Sequence, residues 1–178
     1  MILNVTDRIP AWARWAYERG QQVVKAAADP TVAYSLVGTL QLTQTGWLCL
    51  SVPNAFALGV FKAMGEPGIE LPPGPNGVFN AHIPVMSPEE IERIGGPHKI
   101  TERGKQFVYT LGRLMETEPD EWPEMSKVWF VKVHSPELQY LRRSYGLSSL
   151  PNGGQSDFHI SVAVRRKGVL GRNDTRKT

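Results

Sequence analysis

Histidines occupy matching places in two short apolar segments of the chain. His82 lies in Asn80–Met86, and His159 lies in Phe158–Val164. Both segments have the composition of β-strands, and in both the histidine is followed by Ile, one other residue and Val. Because successive side chains of a strand point to opposite faces, the Ile and Val are predicted to face a core while the histidine points away from it. Ser161 shares the face of the second histidine, so an imidazole and a hydroxyl could contact the same phosphate group.

Two imidazoles that face each other across a cleft have the chemistry to cleave a phosphoester. A neutral imidazole takes a proton from the attacking hydroxyl or water, and a protonated one gives a proton to the leaving oxygen; each transfer is worth about 10²- to 10⁴-fold in rate. Histidine suits both roles because its ordinary pKa is about 6.5. Ser161 would stabilise charge on a non-bridging oxygen, and Arg165, on the same face, would add positive charge. The pattern predicts His82 and His159 as a catalytic pair that needs no metal ion and no cofactor.

The elements that must position the histidines occur twice in the same order. A strand at Trp47–Val52 is followed by a helix, a Pro- and Gly-rich loop and the His82 strand. A strand at Val128–Val133 is followed by a helix with Ser135 as its N-cap, a second Pro- and Gly-rich loop and the His159 strand. This repeat predicts an α+β, bilobal fold with pseudo-twofold symmetry, in which two mainly antiparallel sheets line a central cleft and the helices lie outside.

The rest of the chain is assigned around this repeat. Ser87–Glu90 has the sequence of a capping box and predicts a short helix between the two copies, and residues 105–116 predict a further strand. All 178 residues are expected to form one domain with three parts: an N-terminal helical extension (1–45), a catalytic core (46–166) and a basic tail (167–178).

Flat aromatic side chains are relevant to the kind of substrate that the protein binds. A nucleotide base that stacks on an aromatic ring gains about 1 to 3 kcal/mol. Trp122, between Glu121 and Pro123 in a polar loop, is the best candidate for such stacking, although anchoring the loop would also account for it. Trp47 and Trp129 occupy matching strand positions and are predicted to lie in the core.

Composition bounds the class of protein. With 41% apolar and 21% charged residues, the chain has the make-up of an ordinary globular domain. The single cysteine, Cys49, excludes an internal disulfide and a multi-cysteine zinc site, and no pair of the four histidines has the spacing of a metal site. The stretch Val32–Leu42 is too short to span a membrane. We therefore expect a cytoplasmic protein that binds neither a metal ion nor a membrane, with His98 and His134 structural or exposed.

Positive charge is concentrated at the C-terminal end of the chain. Six basic residues and one acidic residue follow from Arg165 onward, in a chain whose formal net charge is +3. A concentrated cluster favours a solvated tail or a local patch that contacts RNA over a surface that coats DNA.

These residues resemble the two-histidine (2H) phosphoesterase superfamily, whose signature is two copies of His-x-Ser/Thr, each followed by an apolar residue, on opposed strands of a bilobal α+β fold. The likeness runs from about Trp47 to Arg166. Three segments look most similar to the phage anti-CBASS nucleases of that superfamily: Trp47–Phe61, Glu66–Pro72 and Tyr145–Leu147.

The resemblance implies a substrate and a place of action. It implies metal-independent hydrolysis of cyclic di- and trinucleotides made by bacterial immune cyclases, in the host cytoplasm if the chain is phage-encoded. His82 and His159 would be the catalytic pair, and Ser161, Arg165, Trp122 and Asn80 would contact the substrate.

One residue departs from the signature. The first motif carries Pro84 where Ser or Thr is expected, and proline offers neither a hydroxyl nor a backbone N–H. A neighbour such as Asn80 or Ser87 supplies the missing contact, or activity is reduced, or the protein binds nucleotides without cleaving them. Three functions therefore stay open: a cyclic-oligonucleotide phosphodiesterase, a phosphodiesterase that opens 2′,3′-cyclic phosphates at RNA ends, and a nucleotide-binding sponge. The sequence leaves open the base, linkage and ring size, the oligomeric state, and which histidine is the acid.

Overall fold

The computed structural model describes residues 35–74, 78–120 and 122–168. The predicted N-terminal helices and most of the basic tail lie outside these residues. The described strands and α-helices are β1 (Ser35–Leu42), β2 (Leu48–Ser51), α1 (Asn54–Met64), β3 (His82–Met86), α2 (Pro88–Arg93), β4 (Gln106–Thr117), β5 (Met125–His134), α3 (Pro136–Ser144) and β6 (Phe158–Arg166). None of the described helices is long and apolar enough to cross a membrane.

All six described strands form one antiparallel sheet in the order β3-β2-β1-β4-β5-β6. The order is symmetric about the β1–β4 pair, and in each half a helix connects the second strand to the histidine strand. The predicted repeat is therefore confirmed in the topology. The prediction of two separate sheets is wrong, because Ser35–Thr39 pairs with Gln106–Thr110 and joins the halves edge to edge.

Strand β1 corrects the predicted boundary of the core. The sequence assigns residues 1–45 to a helical extension, but 35–42 form a central strand between β2 and β4. Its residues alternate as a strand requires, with Leu40 fully buried and its neighbours Thr39 and Gln41 on the other face. Gly38 permits the close approach of β2, since a Cβ atom at this position would lie 2.6 Å from the Leu50 side chain.

The capping signals in the sequence place the helix starts correctly. Ser87 and Glu90 form the predicted capping box at α2, in which Glu90 N–H donates to Ser87 Oγ at 3.2 Å and Ser87 N–H donates to the Glu90 carboxylate at 3.2 Å. Ser135 caps α3 by accepting from Leu138 N–H at 3.2 Å, and Pro136 takes the first helical position. Each helix that follows a capping serine therefore begins where the sequence predicts.

The two end strands of the sheet lie close together. Cα atoms of β3 and β6 approach within 8 Å although the strands stand at opposite ends of the strand order. The sheet therefore curves strongly, and its core contains side chains from both halves, including Ile83 and Val85 of β3 and Ile160 and Val162 of β6. These are the apolar residues that the sequence predicts to face the core.

Arg142 of α3 connects the two histidine strands through a buried network. Its fully buried guanidinium donates to both carboxylate oxygens of Glu90 at 2.7 and 2.8 Å. It also donates to the carbonyl of Val85 in β3, and to the carbonyls of Ser148 and Leu150 at 2.8 and 3.0 Å in the loop that leads to β6. This network fixes one histidine strand relative to the segment that precedes the other.

Candidate active site

The two histidines line one cavity of about 480 Å³. His82 is the first residue of β3 and His159 is the second residue of β6. Because these end strands approach each other, the cavity receives side chains from both halves of the sheet. Asn80, Trp122 and Ser161 line it as well. The structure therefore brings together five of the six residues singled out in the sequence, and Arg165 is the exception.

Both imidazoles are held in the same way. His82 Nδ1 lies 2.7 Å from the carbonyl oxygen of Asn80, and His159 Nδ1 lies 2.9 Å from the carbonyl oxygen of Asp157. A carbonyl oxygen only accepts, so each Nδ1 carries the proton of this hydrogen bond and each Nε2 is left for a substrate. The repeat therefore extends to the hydrogen bonding of the rings, since each ring is bonded to the carbonyl of the residue two positions upstream.

Asn54 fixes the segment that carries the first of these carbonyls. Its Oδ1 accepts from Ala81 N–H at 2.7 Å, and its Nδ2 donates to the Phe79 carbonyl at 3.3 Å. Asn54 begins α1, so the helix start holds the residues on both sides of Asn80. This role cannot be read from the sequence, because an asparagine after proline at a helix start is also typical of an ordinary cap.

The surroundings of His159 favour its neutral form. Burial is the largest influence and lowers the pKa of His159 below its ordinary value of 6.5; the Asp157 carbonyl opposes this, and the charge of nearby His82 adds to the lowering. Phe130 packs edge-on against the ring at 5.4 Å between centroids. Lys132, the β5 residue paired with His159, forms an ion pair with Asp157 at 2.6 Å.

Arg165 lies outside the cavity, contrary to the prediction. Its guanidinium stands over the Trp129 ring at 5.1 Å and donates to Glu66 Oε2 at 3.1 Å. Lys127 lies against the same ring, at 5.6 Å. Arg165 therefore belongs to a surface cluster and does not line the cavity that holds the two histidines.

A β-bulge in β6 causes this displacement. Val162 has no partner in β5, since the pairing passes from Ser161 opposite Phe130 to Ala163 opposite Trp129. An extra residue in one strand shifts the alternation of faces by one position. The side chains of β6 therefore alternate between the two faces through His159 and Ser161, as predicted. The alternation predicted for Arg165 fails because it lies beyond the bulge.

A second bulge lies in β3, next to Pro84. Pro84 pairs with Cys49 and Met86 pairs with Leu48, so Val85 has no partner in β2. Proline is tolerated there because β3 is an end strand with a ladder on one side only. Pro84 lines the cavity at the place that corresponds to Ser161 in the other half.

Trp47 is the second correction among the predicted residues. It is 38% exposed and lines the cavity, whereas the sequence predicts a core position. Trp122 lines the cavity from the other half and rests on a small apolar cluster of Met125, Val128 and Val164. Trp47 precedes β2 and Trp122 precedes β5, so each half contributes one ring to the cavity. Trp129 is buried, as predicted.

Cys49 lines the cavity without the character of a nucleophile. Burial raises the pKa of its thiol to about 12, so the thiol stays protonated near neutral pH. The described residues contain no group of three or more His, Cys, Asp or Glu side chains that could hold a metal ion. The groups placed to move protons in the cavity are the two imidazoles.

Two equivalent imidazoles in one cavity, each with Nε2 available, define a site for acid and base chemistry on a phosphate ester. The family comparison agrees with this class. A family model described as the Swiss Army Knife 2H phosphoesterase domain (2H-SAK) matches residues 46–170. The match spans more than half of the chain, so the chain belongs to this 2H phosphoesterase family, which implies hydrolysis of phosphoric diesters. No curated protein and no solved structure matches the chain.

Proposed function

We propose that the protein hydrolyses cyclic di- or trinucleotides of the kind that serve as immune signals in bacteria, by a two-histidine mechanism without a metal ion. The observation that carries the proposal is a cavity lined by both histidines and by Trp47 and Trp122, one ring from each half. Two aromatic rings beside a diester site suit a substrate with more than one base, since each base gains from stacking. Asn80 adds an amide to the same cavity.

We assign His159 as the general base and His82 as the general acid. The lowered pKa of His159 keeps its Nε2 free to accept a proton from the attacking water. The water oxygen forms a bond to phosphorus, the bond from phosphorus to the leaving ribose oxygen breaks, and protonated His82 gives its Nε2 proton to that oxygen. The Ser161 hydroxyl donates to a non-bridging oxygen while negative charge builds on it.

The alternative of RNA-end processing loses part of its support in the structure. It depends on the basic residues near the C-terminus, and Arg165 and Arg166 form ion pairs with Glu66 and Glu70 at 3.1 and 2.5 Å. The remaining basic residues of that cluster lie mostly outside the described part of the chain. The alternative of a non-cleaving sponge rests on Pro84, which leaves the first half without the hydroxyl that Ser161 supplies in the second.

One assay separates these functions. The full chain is incubated in EDTA with cyclic di- and trinucleotides, with RNA ending in a 2′,3′-cyclic phosphate, and with bis(p-nitrophenyl) phosphate, a diester without bases. We expect linear products from the cyclic nucleotides at the rate seen without EDTA, and a rate at least about 10²-fold lower from the His82→Ala/His159→Ala variant. Loss of activity in EDTA contradicts the metal-free mechanism. Cleavage of the RNA alone, with steep salt dependence, identifies the RNA processor, and tight nucleotide binding without product identifies the sponge.

The tryptophans provide the control for the substrate class. Trp47→Leu and Trp122→Leu are expected to weaken binding of a cyclic dinucleotide by about tenfold each, because each removes one stacking surface. Affinity for inorganic vanadate, which mimics the phosphoryl transition state and has no aromatic ring to stack, is expected to stay within about twofold. Equal losses of affinity for the cyclic dinucleotide and for vanadate would show that the rings support the fold of the cavity and do not bind bases.

The pH dependence of kcat/KM follows from the assignment of base and acid. The acidic limb reports protonation of the base, and because the pKa of His159 is lowered, its midpoint is expected below pH 6.5. His159→Ala is expected to remove the acidic limb from the residual activity, whereas His82→Ala is expected to keep it. Loss of the acidic limb in His82→Ala, with the limb kept in His159→Ala, would exchange the two roles.

A further inference from the structure

The two halves of the cavity differ at one position that matters for phosphate binding. In the second half, Ser161 follows His159 by two residues and brings a hydroxyl into the cavity. In the first half, Pro84 follows His82 by the same interval and brings no donor. A hydrogen-bond donor to a non-bridging oxygen typically raises kcat by about 10²- to 10³-fold. The first half lacks such a donor at Pro84.

Three hydroxyls from the first half line the cavity: those of Thr43, Thr45 and Ser51. Thr43 and Thr45 are bonded to each other at 3.0 Å between their Oγ1 atoms, and Thr43 Oγ1 also accepts from Trp47 N–H at 3.0 Å. These hydrogen bonds belong to the β1–β2 turn. Ser51 belongs to β2 and is the remaining hydroxyl of this set.

Ser51 stands directly opposite His82 in the sheet. The two residues are paired in the β2–β3 ladder, and side chains of directly paired residues have Cβ atoms about 4.5 to 5.5 Å apart on one face. Pro84 pairs with Cys49, so Ser51 is also its diagonal neighbour. The Ser51 hydroxyl therefore lies on the same strand pair as the missing donor, next to the imidazole that a substrate phosphate must contact.

The other two candidates suit this role less well. Ser87 Oγ accepts the hydrogen bond of the α2 capping box and lies after the end of β3. Asn80 lines the cavity but precedes His82 by two residues, whereas the missing hydroxyl would follow His82 by two. In the second half, the residue equivalent to Ser51 is Lys132, whose ammonium is bound to Asp157. The donor that the second half carries on the histidine strand is thus available on the neighbouring strand in the first.

We propose that the Ser51 hydroxyl replaces the missing hydroxyl of the first motif and donates to a non-bridging oxygen of the substrate phosphate. The inference rests on diester chemistry at the His82–His159 pair and is independent of the bases of the substrate. Pro84 is then compatible with catalysis, because Ser51 of β2 supplies the hydroxyl that β3 lacks.

The test combines a loss with a rescue. Ser51→Ala, Pro84→Ser and the double variant are compared with wild type for turnover of bis(p-nitrophenyl) phosphate and for affinity for inorganic vanadate, which mimics the phosphoryl transition state. We expect Ser51→Ala to lower kcat by about 10²-fold with little change in KM, and to weaken vanadate binding comparably. Ser51→Ala/Pro84→Ser is expected to recover at least about tenfold of each loss, since it returns a hydroxyl to the same cavity from the other strand.

The matched control is Ser126→Ala, another half-buried strand serine, whose hydroxyl donates to the Arg165 carbonyl at 3.2 Å away from the cavity. It is expected to stay within about twofold of wild type. Unchanged kcat and vanadate affinity in Ser51→Ala would overturn the proposal, as would a loss that Pro84→Ser does not recover. If cyclic nucleotides are not cleaved but the simple diester is, the proposed substrate fails while Ser51 is still tested. If nothing is cleaved, vanadate binding alone decides.

Discussion

Replacing either His82 or His159 with alanine is expected to lower turnover of the diester substrate by about 10²- to 10⁴-fold. The magnitude follows from the loss of one proton transfer in the transition state. Both rings line the same cavity, and both are oriented by a carbonyl two residues upstream, so each Nε2 is available to the substrate. Because the two imidazoles act on one phosphate, their contributions to the rate are not additive. We expect the turnover of the double variant to be only slightly lower than that of the less active single variant.

The chain offers a matched control for this loss. His134 ends β5, is exposed and does not line the cavity, so His134→Ala is expected to keep activity within about twofold. Initial rates are measured on the best substrate of the panel, and thermal unfolding of each variant verifies that the fold is retained. A single cavity variant that keeps more than a tenth of wild-type kcat would remove that histidine from the mechanism.

Local patterns account for most of the elements that carry this site. The Ile and Val around each histidine predict two half-buried strands, and Ser87 and Ser135 mark the helix starts where the structure has them. The repeat predicts that both histidines meet, and the topology brings β3 and β6 together. These features are readable because alternation and capping act over a few residues.

The errors arise where distant residues decide the outcome. The bulge at Val162 depends on how β6 pairs with β5, and it turns Arg165 away from the cavity. Strand β1 escapes prediction because its centre contains Gly38, a residue that lowers strand propensity and is required here by the close approach of β2. The prediction for Trp47 fails since apolar character alone does not separate a buried ring from one that lines a cavity.

The buried position of Arg142 is a further feature that the sequence does not predict. In α3 it follows the pattern of a basic residue near a helix C-terminus, beside Arg143. The structure instead buries it completely, and its carboxylate partner, Glu90, is 8% exposed. Burial alone would raise the pKa of Glu90, but the hydrogen bonds from Arg142 and from the Ser87 N–H outweigh it and lower the pKa below 4.5. The Glu90 carboxylate is therefore charged at neutral pH, and it forms an ion pair with the Arg142 guanidinium.

Replacing Arg142 with methionine is expected to lower the free energy of unfolding by about 3 to 5 kcal/mol. The aliphatic part of the side chain is kept, but a buried carboxylate loses its counter-charge, and the carbonyls of Val85, Ser148 and Leu150 lose their donor. Urea unfolding followed by tryptophan fluorescence measures the change. Arg143→Met, one residue along and exposed, is expected to change stability by less than about 1 kcal/mol.

Replacing Glu90 as well separates the cost of the unpaired carboxylate from the cost of the lost hydrogen bonds. Arg142→Met/Glu90→Gln removes the unpaired carboxylate and is expected to recover part of the stability lost in Arg142→Met, while the orphaned carbonyls keep it below wild type. Because the network joins β3 to the loop that leads to β6, any Arg142→Met protein that remains folded is also expected to lose activity through misplacement of His82 relative to His159. Wild-type stability in Arg142→Met would mean that the guanidinium is replaceable by apolar packing and that the two histidine strands are held together by the core alone.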